Sequence, residues 1–124
     1  MDIYGGFINT VPRSQNSYTH RDSLLTFQLY TYAPSPTSPY PAGGIPFLNG
    51  MLSSLTNTLP QEKVKAYANY VDPTLSPAEA QQLYYGNAPW NGVTGAEGAV
   101  DRLKRIKEEY DPDHVIWNPQ AFGN

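Results

Sequence analysis

Cysteine is missing altogether from these 124 residues, which excludes disulfide staples and thiolate chemistry and leaves no bridge pattern from which to read a redox compartment. Histidine is scarce. His20 and His114 stand far apart and alone, each reading as a surface or hydrogen-bonded structural histidine, and no HExxH, GxSxG or Walker pattern accompanies them. The eight basic residues form no long run and the net charge is −3, so nucleic acid is not an expected partner. No apolar stretch approaches the roughly 20 residues needed to span a bilayer. The start, Met1-Asp2-Ile3-Tyr4-Gly5-Gly6, lacks the basic and apolar regions of a signal peptide, so neither targeting nor membrane anchoring is expected and localisation stays open.

What is present is aromatic. Ten Tyr, four Phe and two Trp supply enough apolar surface for a packed fold, while twelve Pro imply many irregular segments. The length predicts one globular unit over residues 1–124, with 1–60 and 61–124 as its two portions. Phe7–Val11 and Leu25–Tyr32 read as strands, the second alternating large apolar with small polar residues. The Pro-rich stretch 33–44 reads as a surface linker, a reading preferred over a PxxP ligand because Pro36 and Pro39 lack a basic anchor.

Phe47, Leu48, Met51, Leu52 and Leu55 recur at helical spacing, which predicts an amphipathic helix within 45–59 whose apolar stripe enters a core. Lys63–Val71 alternates and reads as a third strand, closed by Asp72-Pro73. Ser76-Pro77-Ala78-Glu79 is a capping-box pattern opening a short helix that Gly86 can stop. Thr94-Gly95-Ala96-Glu97 repeats that pattern before Val100, Leu103, Ile106, Lys107 and Tyr110, with Asp111-Pro112 ending the helix. Together these predict an α+β fold, a small antiparallel sheet backed by helices.

Spacing alone names no chemistry, but an ordered series of short signatures does stand out. It runs Tyr4-Gly5-Gly6, His20-Arg21, Tyr67-Ala68-Asn69-Tyr70 with Asp72, Tyr84-Tyr85-Gly86, Arg102-Leu103-Lys104 through Tyr110-Asp111-Pro112-Asp113, and Asn118-Pro119-Gln120. In that order the series resembles the C-terminal part of berberine-bridge-like oxidases in the vanillyl-alcohol-oxidase group of flavoproteins, namely the end of the substrate domain plus the terminal segment. The resemblance implies FAD as cofactor, a flavin domain lying outside this sequence, and oxidation of an alcohol, sugar or secondary metabolite by hydride transfer to the flavin. It also implies that activity needs an FAD-domain partner or a longer parent chain; lacking cysteine, this chain cannot supply a bicovalent attachment.

Residue by residue, the resemblance makes Tyr70 the catalytic base, sets Tyr67, Asn118 and Gln120 beside the cofactor, and gives Asn69 to the substrate pocket. His20 and Trp90 join Asn69 as candidate substrate contacts, Trp90 because it could cap a pocket. No metal is expected. Strict strand alternation would put Tyr67 and Tyr70 on opposite faces, so a twist, a bulge or two-sided burial is required for both to approach one ring. The plainer reading makes both tyrosines buried strand aromatics. Two rival functions stay open: a cofactor-free isomerase or cyclase using the remnant pocket, and a non-catalytic binding or assembly module that pairs with another protein or with itself.

Overall fold

The computed structural model describes residues 1–86 and 97–123; Trp90 and the Thr94 end of the second capping-box pattern lie outside them. The chain divides into two compact units, residues 27–64 with Met1, and residues 2–26 with 65 onward.

The unit of residues 27–64 holds one α-helix, α1 (Gly44–Thr56). Pro46 sits in its first turn, where a missing N–H costs nothing, and Gly44 is buried against the Tyr40 ring, where a side chain would collide. Tyr40 hydroxyl in turn bonds Thr31, and Ser35 bonds Ser38 at 2.8 Å, so the Pro-rich stretch is a series of hydroxyl-tied turns. The expected core stripe does not enter a core. Phe47, Met51, Leu52 and Leu55 stay exposed, Phe47 at 62%, because nothing in the described chain covers that face.

The other unit carries the rest. Strands β1 (Asp2–Ile3) and β2 (Leu25–Thr26) pair antiparallel in the register Asp2 to Thr26 and Ile3 to Leu25. The expected strand Leu25–Tyr32 therefore contributes only its first two residues, since among the described residues β2 has β1 alone as a partner. Phe7–Val11 is not a strand either. Gly6 takes φ 62° and turns the chain into a 3-10 helix over Gly6–Thr10, where Thr10 hydroxyl donates to Phe7 carbonyl at 2.8 Å.

Helix α2 (Pro77–Tyr85) follows its sequence signature closely. Ser76 Oγ accepts from Glu79 N–H at 3.4 Å while Glu79 carboxylate accepts from Ser76 N–H at 3.0 Å, and Gly86 at φ 66° ends the helix. Helix α3 (Ala99–Tyr110) starts later than its capping-box pattern implies, with Gly98 as N-cap. The two helices pack together and carry the buried apolar side chains Ala80, Tyr84 and Ala99. Helix and strand coexist as an α+β fold, but Ile3, 79% exposed, and Leu25 remain open to solvent, so helices do not back the sheet within the described residues.

Candidate active site

The expected third strand, Lys63–Val71, is a short 3-10 turn (Gln61–Lys63), an extended run and then a reverse turn. Its backbone finds isolated partners in place of a ladder: Ala66 N–H donates to Leu83 carbonyl at 3.2 Å, and Ala66 carbonyl pairs with His20 Nε2 at 2.8 Å. Tyr70 N–H then donates back to Tyr67 carbonyl at 2.8 Å, making Tyr67 and Tyr70 the ends of one turn. The alternation problem disappears. Across the turn the two rings meet edge to face, centroids 5.2 Å apart.

Other rings extend this pair into a cluster. Tyr18 meets Tyr67 edge to face at 6.2 Å and His20 at 5.5 Å, and stacks on Tyr4 at 6.3 Å. Asn69 donates to Tyr67 hydroxyl at 2.9 Å. Tyr18, His20, Tyr67, Asn69, Tyr84 and Tyr85 line a cavity of about 190 Å³. One side of His20 also borders a smaller space of about 100 Å³ with Arg13, Thr19, Asp22 and Lys65.

Electrostatics sort these groups. Burial pushes the His20 imidazole below its ordinary value, and Lys65 and Arg13 add to that, against the Ala66 carbonyl and Asp22, which favour the cation. His20 is therefore a neutral ring near pH 7. Tyr70 hydroxyl donates to Asp2 Oδ2 at 3.1 Å, and that bond, with the carboxylate charge behind it, raises the phenol. Burial raises the phenols of Tyr18, Tyr84 and Tyr85. With their values raised, the phenols of Tyr18, Tyr70, Tyr84 and Tyr85 hold their protons at rest.

The chain end is fastened to the same region. Gln120, 8% exposed, donates through Nε2 to Asp72 carbonyl at 2.6 Å and Leu75 carbonyl at 3.3 Å, while its Oε1 accepts from Tyr84 hydroxyl at 2.5 Å. Gln81 Nε2 donates to Ala121 carbonyl at 3.2 Å, and Asn118 Oδ1 accepts from Gln120 N–H at 2.8 Å. Past α3, Asp111 accepts from Val115 N–H at 2.8 Å and Ile116 N–H at 3.0 Å, and Lys107 bonds both Asp111 and Ile116 carbonyl.

Of the residues singled out in the sequence, Tyr67, Asn69, Tyr70 and His20 are brought into one cluster. Asn118 is exposed on the terminal segment, the Gln120 amide is committed to protein partners, and Trp90 lies outside the described residues. Sequence reasoning did not single out Asp2, Tyr18, Tyr84 or Tyr85 as site residues. The Tyr84-Tyr85-Gly86 signature was a visible pointer to two of them, whereas a lone Asp near the start carries no local signal.

The described residues do not by themselves enclose an FAD. A whole FAD needs more room than about 190 Å³, since cofactor pockets typically run from about 300 to 1,000 Å³. The N-terminus of α2, a natural seat for a pyrophosphate, is already filled by Ser76 and Glu79.

Residues 97–122 match the family model "Berberine and berberine like". Over 94% of its length the chain is 35% identical to a glucooligosaccharide oxidase of Sarocladium strictum, and over 98% it is 36% identical to a xylooligosaccharide oxidase of Thermothelomyces thermophilus. An FAD-linked oxidoreductase of Metarhizium anisopliae, dpmaF, is 33% identical over 98% of the chain. In these alignments the chain spans 22%, 23% and 22% of the relatives' own lengths, little over a fifth. No solved structure matches. With matches along nearly all of this chain and the family model matching its terminal segment, the chain is similar to the C-terminal portion of berberine-bridge-like FAD-linked oxidases.

Proposed function

We propose that this chain is the substrate-side wall of an FAD-dependent oxidase acting on an oligosaccharide, with the flavin held by a longer parent polypeptide or by a partner. The observation that carries the reading is the match of nearly all of this chain to about a fifth of the length of two oligosaccharide oxidases, joined to a cluster that offers what a sugar needs. Tyr18, Tyr67, Tyr84 and Tyr85 give flat apolar faces for a pyranose ring; Asn69 and neutral His20 give polar groups at the cavity edge.

Within that site Tyr70 is the base. When bound, FAD supplies the acceptor for the hydride that leaves the sugar carbon. Tyr70 oxygen takes the proton of the sugar hydroxyl as its own proton passes to Asp2 Oδ2, 3.1 Å away. Asp2 thus does two things: it keeps the phenol protonated and aimed at rest, and it receives the proton at the moment of reaction. Tyr67, steadied by Asn69, would help to hold the flavin ring, with Asn118 and Gln120 on the segment that would border it.

The exposed run Val115, Ile116 and Trp117 is the face that meets the flavin-bearing portion, or a second copy of the chain where that portion is missing. The test is complementation. The purified chain is mixed with the flavin-loaded remainder of a related oligosaccharide oxidase truncated before the matching region, and peroxide release is followed with cello- and xylo-oligosaccharides. Restored turnover that Tyr70→Phe lowers by roughly 10² supports the reading; restored turnover indifferent to Tyr70→Phe removes Tyr70 as base, and no restoration with any sugar removes the function.

A further inference from the structure

Gln120 is a neutral side chain held in the protein with every polar atom spoken for. Its Nε2 reaches two carbonyls of the turn that follows Tyr70, Asp72 at 2.6 Å and Leu75 at 3.3 Å. Its Oε1 takes the hydroxyl proton of Tyr84, which forms a wall of the aromatic cavity, at 2.5 Å. The turn it grips is already shaped by Asp72, whose Oδ1 accepts from Thr74 N–H at 2.9 Å and whose carbonyl also accepts from Leu75 N–H at 3.2 Å. One amide therefore ties the terminal segment to two elements remote from it in sequence, the turn two residues beyond Tyr70 and α2.

We infer that Gln120 is a positioning residue, a buried latch that fixes Tyr70 and the Tyr84 wall relative to each other through the 72–75 turn. Nothing about the latch requires contact with cofactor or substrate. It rests on the reading of Tyr70 as base only for its catalytic consequence; the geometry stands without it. The chemistry demanded at position 120 is specific: a planar group with a donor pair toward two carbonyls and an acceptor toward a phenol, which only an amide supplies in both directions. A carboxylate would aim lone pairs at the Asp72 and Leu75 carbonyls, and a methionine would leave them and Tyr84 unanswered.

The experiment compares Gln120→Glu and Gln120→Met in the purified chain by thermal melting between about pH 5 and pH 8, with NMR of ring-labelled tyrosine as the positional readout. At the upper pH Gln120→Glu melts lowest. On acidification its deficit against the wild type shrinks by about half or more, because a protonated carboxyl regains a donor, whereas the Gln120→Met deficit stays flat. In both variants the Tyr70 resonance moves toward that of an ordinary exposed tyrosine as its bond to Asp2 loosens. Should either variant prove too unstable to melt cooperatively, Tyr84→Phe, which removes only the hydroxyl facing Oε1, gives the same Tyr70 displacement in smaller measure. A Tyr70 resonance unmoved in all variants, or a Gln120→Glu deficit that does not respond to pH, overturns the latch. In the complementation assay, loss of turnover in Tyr70→Phe together with an unmoved Tyr70 in Gln120→Glu defeats the latch alone; a displaced Tyr70 with turnover indifferent to Tyr70→Phe defeats the base alone.

Discussion

Acidification should destabilise this protein through His20, and the structure sets both the direction and the ceiling. The ring is 7% exposed, with Nε2 against Ala66 carbonyl and the Tyr18 ring beside it. Arg13 and Lys65 approach from the cationic side and Asp22 from the anionic. Burial is the largest influence and it lowers the folded value below the ordinary 6.5. In the window between the two values the unfolded chain binds a proton that the folded chain does not, so stability rises with pH. The contribution is complete above about pH 6.5 and is lost as pH falls toward the folded value. One proton sets a ceiling of about 1.4 kcal/mol per pH unit on the slope, which for a chain of this size is roughly 5 °C in melting temperature. Melting curves by circular dichroism from about pH 8 down to pH 5 on wild type and His20→Gln measure it, the variant losing the slope that His20 supplies. Equal slopes in the two proteins would refute the reasoning, as would a wild type that melts higher at the lower pH.

Ser76→Ala should cost about 1 kcal/mol, read by urea unfolding, because it removes the acceptor that α2 uses at its first turn. Tyr84→Phe should cost about 1–3 kcal/mol despite keeping the ring, since Gln120 Oε1 is left buried without a donor; equal midpoints in denaturant would count against the network. Tyr70→Phe should melt close to the wild type and Tyr70→Ala markedly lower, because the ring packs on Tyr67 whereas the hydroxyl bond lies at the surface. Free FAD should bind the isolated chain with a dissociation constant weaker than about 1 μM, as one wall of a site offers only edge contacts; calorimetry giving tighter binding would contradict that fit.

The helices were more legible in the sequence than the strands, for a physical reason. Ser76, Pro77, Glu79 and Gly86 act on neighbours three or four residues away, so the start and stop of α2 are written locally and the structure reproduces them. A strand needs a partner that its own residues do not specify. Residues 27–32 alternate well enough, but with β1 and β2 the only strands of a sheet among the described residues the alternation has no sheet to serve. The same holds for α1, whose stripe is correctly helical and yet uncovered. At the site, the tyrosine spacing was visible but its geometry was not: Asn69 within Tyr67–Tyr70 is a residue that favours turns, and it was outweighed by the apparent alternation around it. Asp2 meets Tyr70 across 68 residues of sequence, a long-range contact with no trace in local sequence.

Beyond α3 the chain freezes its backbone with charge in order to display apolar side chains. Asp111 holds the amides of Val115 and Ile116, Lys107 holds the Ile116 carbonyl, and His114 accepts a left-handed φ of 52° to let the chain turn back. Val115, Ile116 and Trp117 are left facing outward on a stretch that has already surrendered its conformational freedom. A surface that pays its ordering entropy during folding surrenders less when it meets another surface. The ion pair therefore acts at a distance from its own atoms: neutralising Lys107 would slacken the ridge, and on the docking proposed for this face the penalty would be felt chiefly in how tightly the ridge is met.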